Sequence, residues 1–298
     1  MVNKMSTLLE LRIKHKVNKP IGYVETYQEK FEKLRDEEMR ILEIGLLTGG
    51  PEHGEQRLHR HVDDAPSMKM WAEYFTNGDV WGADICDFSH VAKENNFNFV
   101  KTDQSHKDKL LEIPKSVCKL KQTYDDELFD IIIDDGSHAS FHQQNTFFNL
   151  FPYLKKGGFY IIEDLQWKPH WDPTRKRAKS FVGEPPDMPT TIHTNNVLAT
   201  MQIITVVNNS NDISDRKKEE MRLNLLTLNN YFDTTVFPFG EEIKVNSREI
   251  KKLVIHRMLD FKTPLGSPYP YLVNTPIINT PQLVTPDNRF TLCVIEKK

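Results

Sequence analysis

Three consecutive isoleucines, Ile131, Ile132 and Ile133, stand immediately before the sequence Asp134-Asp135-Gly136-Ser137-His138. A strand with one solvated face alternates apolar and polar residues, so an unbroken apolar run over 128–133 predicts a strand covered on both faces. A second run at 159–162 ends in Glu163-Asp164. Further strand-like segments at 40–44, 79–85 and 98–102 alternate with helical patterns at 67–75, 107–120 and 141–154. Strands and helices in this alternation specify an α/β protein with a mostly parallel sheet and helices on both faces.

The flanking regions read differently. Tyr23, Tyr27, Phe31 and Leu34 recur at helical spacing and predict an amphipathic helix over 19–40, within a helical lead-in over 1–40. The α/β core is expected over 41–167, with Lys155-Lys156-Gly157-Gly158 as the turn into its last parallel strand and Ser67 as the cap of the 67–75 helix. Residues 168–286 read as a lid and substrate-side segment. It opens with prolines 169, 173, 185, 186 and 189, continues with helices at 196–207 and 215–228 and a strand at 234–239, and ends in a proline-rich stretch at 263–286. Residues 287–298 predict a C-terminal strand returning antiparallel to the sheet.

The 298 residues, with 38% hydrophobic and 27% charged content, can bury a full core. No apolar run approaches the ~20 residues that span a bilayer, and 1–19 lacks the apolar centre of a secretory signal, so cytoplasmic residence and no membrane partner are expected. A net charge of −3 disfavours nucleic acid as a partner, because phosphate contacts need concentrated Lys and Arg. The basic stretch Arg175, Lys176, Arg177, Lys179 reads as a solvated face, with contact to an anionic substrate as its other reading. Three widely spaced cysteines form neither a disulfide framework nor a zinc site.

In open α/β sheets ligands bind outside the carboxyl ends of the strands, so the two acidic clusters should face one cleft. Asp135, Glu163 and Asp164 offer hard oxygen donors, which suit Mg²⁺ or Mn²⁺ better than zinc. His138 is then available for proton transfer, with a turn residue or a fourth ligand as its other readings. His53, His59 and His61 lack a completing Cys or acid at ligand spacing and read as loop surface.

A glycine turn carrying Gly45 and Gly49 follows the 40–44 strand, and Asp84 near the end of the next strand could accept ribose hydroxyls. The glycine spacing is GxxxGG rather than GxGxxG, which disfavours NAD. Glu43, inside a strand, is poorly explained by packing. It could hold a cationic ligand or order the glycine loop, and S-adenosylmethionine is a cofactor with an ammonium group. Asp103 could hydrogen-bond an adenine amine, with Gln104 beside it, or serve as a turn cap.

Segments 41–50 and 67–84, the trio Asp103-Gln104-Ser105, and segments 134–138 and 160–165 together resemble the class I S-adenosylmethionine-dependent methyltransferases. Within these, the chain is similar to the metal-dependent sugar O-methyltransferases of macrolide biosynthesis. The resemblance covers about residues 20–170 and implies a Rossmann-like sheet. It also implies Mg²⁺ on Asp135, Glu163 and Asp164, His138 as general base, and cofactor contacts from Glu43, Gly45, Ser67, Asp84 and Asp103. Gly49, Gln104 and Asp134 are assigned to the same cofactor pocket. The expected partner is a small hydroxylated acceptor, a sugar or glycosylated molecule, and a homo-oligomer is expected by the same resemblance. A catechol-type O-methyltransferase, a metal-dependent hydroxylase and a noncatalytic cofactor-binding protein are the competing readings.

Overall fold

The computed structural model describes residues 6–46, 63–123, 125–165, 194–228, 246–262, 268–273 and 290–298. The expected Gly49, the histidine-bearing loop at 53–61, the proline-rich segment after Trp167 and the strand at 234–239 lie outside the described residues.

Two helices, α1 (Leu8–Lys14) and α2 (Ile21–Phe31), precede β1 (Arg40–Ile44). The chain continues through α3 (Pro66–Tyr74), β2 (Asp79–Asp84), α4 (Ser89–Glu94), β3 (Asn98–Lys101), α5 (Lys107–Leu110), α6 (Glu112–Lys121), β4 (Phe129–Asp134), α7 (Ser140–Leu150) and β5 (Leu154–Ile162). After them come α8 (Thr194–Asn209), α9 (Asp215–Leu228), β6 (Ile250–Lys262), β7 (Pro268–Val273) and β8 (Phe290–Lys297). The sheet order is β3-β2-β1-β4-β5-β8-β6-β7. Strands β1 to β5 pair in parallel, and β8 is antiparallel to both β5 and β6. The expected C-terminal antiparallel strand is therefore present, inside the sheet.

The isoleucine run behaves as its sequence requires. Ile132 packs with Leu42, Ile113, Val117, Phe147 and Met201 on one face, while Ile131 and Ile133 pack with Ile41, Tyr23, Trp71 and Met68 on the other. All three are fully buried. Each face is covered by helices, so the alternation of strand side chains supplies two cores from one apolar run.

Four expectations are corrected. Ser67 is not the cap of α3: Ala65 holds that place and Pro66 takes the first helical position, where its fixed φ and missing N–H cost nothing. The 107–120 helix is two, because Pro114 cannot continue the helix through the preceding turn and α6 starts afresh at Glu112. The turn at 155–158 lies inside β5, where Gly157 at φ 76° and a register shift opposite Phe129/Ile131 mark a bulge rather than a strand boundary. Finally, the 168–286 segment contributes two strands to the core sheet. Of these, β7 carries Pro268 and Pro270 because it is the edge strand, where a missing N–H breaks no ladder.

Candidate functional site

The carboxyl ends of β1, β4 and β5 meet at one place, and so do the acidic residues that follow them. Backbone bonds lock the three ends together: Asp135 N–H donates to the Ile44 carbonyl and Glu163 N–H to the Asp134 carbonyl, each at 2.9 Å. Gly45 sits at φ 85°, and a Cβ there would lie 2.1 Å from the Asp135 carbonyl oxygen. Its glycine is therefore required by the approach of β1 to the acidic loop, and at Gly136 in the same loop the Gln104 amide occupies the space a Cβ would take, 2.0 Å from Gln104 Oε1.

Lys19, which the sequence reading did not single out, stands at the centre. Its ammonium donates to Asp135 Oδ2 and Glu163 Oε1, both at 2.6 Å, and lies 2.8 Å from Glu43 Oε1. Burial opposes the charge on Lys19, but Asp135, Glu163 and Glu43 outweigh it and raise its pKa well above the usual lysine value. Two tyrosines of α2 extend the same cluster. Tyr23 donates to Asp164 Oδ1 at 2.9 Å, and Tyr27 to Glu163 Oε1 at 2.5 Å. Burial first, and the neighbouring carboxylates second, hold both phenols protonated as donors. Tyr23 and Tyr27 are four residues apart on one face of α2, and Lys19 stands just before the Pro20 cap of that helix. The signal was present in the sequence as tyrosines rather than phenylalanines on a buried stripe.

Among the described residues, two groups bring ligand atoms within 4.8 Å of one another: Asp135, His138 and Asp164, half-buried, and Glu43, Asp135 and Glu163, more deeply set. The expected trio of Asp135, Glu163 and Asp164 is thus divided, with Glu163 turned toward Lys19 and Tyr27. His138 Nε2 lies 3.5 Å from Asp164 Oδ2. Both His138 (φ 62°) and Asp164 (φ 56°) occupy the left-handed region. Backbone in that region away from glycine persists only where surrounding structure enforces it, and here it turns both side chains toward Asp135.

Other expected residues have definite partners. Glu43, fully buried, receives Trp71 Nε1–H at 3.0 Å and faces Lys19. Its cation is thus one of the chain's own. Asp84 accepts the N–H groups of Leu46 and Cys86, one on each oxygen, and so braces the start of the glycine turn. Gln104 is committed to structure: its amide donates to Asp134 Oδ1 and Thr146 Oγ1 and accepts from Ser137 N–H. Burial drives the Asp134 carboxyl up to about 7, and its Oδ2 has no hydrogen-bond partner among the described residues. Asp103 forms a turn with Ser105 and lies near His106. Ser67 is buried in the first turn of α3. A groove of about 310 Å³ past β2 and β3 is lined by Ile85, Lys101, Thr102, Asp103, His106 and Lys109.

The site's chemistry can be tested against the expected groups. Two half-buried carboxylates beside an imidazole fit a hard divalent cation with room for water or substrate oxygens. The groove past β2 and β3, with exposed Ile85 on its wall and Thr102 and Asp103 beside it, fits a nucleoside.

Over 145 residues the chain is 39% identical to demethylmacrocin O-methyltransferase of Streptomyces fradiae, a match covering 49% of this chain and 32% of that protein. Mycinamicin VI 2''-O-methyltransferase of Micromonospora griseorubida is 35% identical over 145 residues, 49% of this chain and 31% of that protein. The match thus spans about a third of the length of these relatives. The chain is also similar in fold to the MycE methyltransferase of the mycinamycin biosynthetic pathway, solved in complex with Mg, SAH and mycinamycin VI. The TM-score is 0.54 at 22% identity, over 99% of this chain and 55% of that one. No protein-family profile matches the chain. The resemblance to O-methyltransferases is thus carried by sequence similarity over about half of the chain, and the fold is similar to that of a solved methyltransferase.

Proposed function

We propose that the protein is an S-adenosylmethionine-dependent, Mg²⁺-dependent O-methyltransferase acting on a hydroxyl of a sugar or glycosylated small molecule. The observation that carries this reading is the convergence of Asp135, Asp164 and His138 at the ends of β4 and β5, beside a nucleoside-sized groove at the ends of β2 and β3. Sequence similarity to O-methyltransferases of rhamnosyl tetracenomycin C and olivosyl-oleandolide supports the acceptor class.

Asp135 and Asp164 would hold the cation, and Glu163 would join through the oxygen not engaged by Lys19 and Tyr27. When bound, Mg²⁺ would supply Lewis acidity to an acceptor hydroxyl whose own pKa lies far above neutrality, and S-adenosylmethionine would supply the methyl group. His138 is placed to take the hydroxyl proton at Nε2, and the Asp164 carboxylate 3.5 Å away would stabilise the imidazolium that results. Such general-base help is worth about 10²- to 10⁴-fold. Asp84 would accept the ribose hydroxyls, and the groove past Asp103 would take the adenine ring. Tyr23 and Tyr27 fix the carboxylates from behind, so that little reorganisation remains when the acceptor arrives.

The test is transfer of a labelled methyl group from S-adenosylmethionine to a panel of glycosides and of catechols, with and without EDTA. Metal-dependent labelling of the glycosides supports the reading. Labelling confined to catechols would transfer it to the aromatic O-methyltransferases.

A further inference from the structure

Lys19 is nearly inaccessible to solvent, yet its ammonium faces oxygens from three strand ends: Glu43 on β1, Asp135 after β4 and Glu163 after β5. An ammonium has three donors, and three carboxylates surround it. The chain is built to deliver it there. Lys16 at φ 56° turns the backbone after α1, Arg12 Nε–H donates to the Lys19 carbonyl at 2.6 Å, and Pro20 caps α2 directly behind. The triad Glu43, Asp135 and Glu163 has ligand atoms as closely gathered as the half-open group Asp135, His138 and Asp164, and the two groups share Asp135.

We propose that Lys19 is a built-in cation that occupies what would otherwise be a second divalent-metal site, confining the catalytic metal to the Asp135–His138–Asp164 side. The inference rests on the reading of that side as the Mg²⁺ site. Its logic is one of charge. Glu43, Asp135, Glu163 and Asp164 present four carboxylates. One ammonium and one divalent cation leave a single negative charge, which complements a sulfonium cofactor. A second divalent cation in place of Lys19 would cancel that charge and remove the attraction for the cofactor. Lys19 is thus a positioning residue: it holds one oxygen of Asp135 and one of Glu163, and touches no acceptor.

The experiment is Mn²⁺ titration of the full chain, followed by calorimetry and by the electron paramagnetic resonance signal of free Mn²⁺. Wild type, Lys19→Ala and Lys19→Ala/Glu43→Gln are compared. Wild type should bind one ion, Lys19→Ala two, and the double variant one. One ion in both wild type and Lys19→Ala, at equal affinity, overturns the inference while leaving the metal centre intact. No ion in wild type but one in Lys19→Ala removes the proposed Mg²⁺ site and keeps the role of Lys19, and no ion in either removes both. Should Lys19→Ala be unfolded without metal, the inference requires that Mn²⁺ restore its cooperative melting, with a Tm that rises with Mn²⁺ concentration more steeply than in wild type. Failure of Mn²⁺ to restore it counts against the inference.

Discussion

Gly45 is the residue whose replacement should do the most damage for the least change in mass. Alanine there meets both a left-handed φ and a Cβ contact of 2.1 Å with the Asp135 carbonyl, and should cost roughly 3 kcal/mol or displace the acidic loop. Chemical denaturation of Gly45→Ala, with Mn²⁺ affinity measured on the folded fraction, checks both effects. His142 gives a prediction in pH. It is buried against Ser137 Oγ at 2.6 Å, and desolvation lowers its pKa from the ordinary 6.5 to about 4. The folded protein therefore releases a proton that the unfolded chain keeps between those values, so the group adds no penalty above pH 6.5 and destabilises increasingly as pH falls toward 4. The full effect is about 3 kcal/mol at most. His142→Asn should flatten the pH dependence of Tm within that window, and parallel curves for the two proteins would refute the assignment.

At the scale of elements, α2 is where sequence reading and structure complement each other. Its apolar period was legible from Tyr23, Tyr27 and Phe31, and all three are buried as that period requires. Their spacing could not reveal that two hydroxyls end on carboxylates far along the chain, because that depends on how α2 docks against the ends of β4 and β5. Lys19 was hidden for the same reason: a lysine before a helix is ordinarily a solvated residue. Tyr27→Phe should cost about 1–2 kcal/mol, since it leaves Glu163 short of a buried donor. Urea unfolding with an unchanged m-value would show that the loss is local. The strand β7 escaped the sequence reading because prolines within 263–286 resemble a loop, and edge pairing, which tolerates them, is a tertiary property. By contrast, β1, β2, β3 and β4 were legible almost to the residue, since their apolar runs end at charged or glycine residues.

For the whole molecule, the sheet order places every acidic strand end on one rim, which is why two clusters nearly thirty residues apart in sequence act together. That much was readable from the alternation of strands and helices. The division of the carboxylates between Lys19 and the half-open group was not, because it is decided by a contact spanning 116 residues of chain. Ligand linkage should be visible globally. A ligand at about 100 times its Kd stabilises by roughly 2.7 kcal/mol, so Mg²⁺ and S-adenosylmethionine should each raise Tm by several degrees. Asp164→Ala should keep the cofactor's increment and lose that of the metal.

The most direct measurement is calorimetric titration of S-adenosylmethionine into the metal-free and the Mg²⁺-loaded protein, repeated with Asp135→Ala and Asp164→Ala. The account predicts cofactor binding by wild type, and Mg²⁺ binding that is lost in both variants. Absence of cofactor binding by the wild-type protein in either metal state would contradict it.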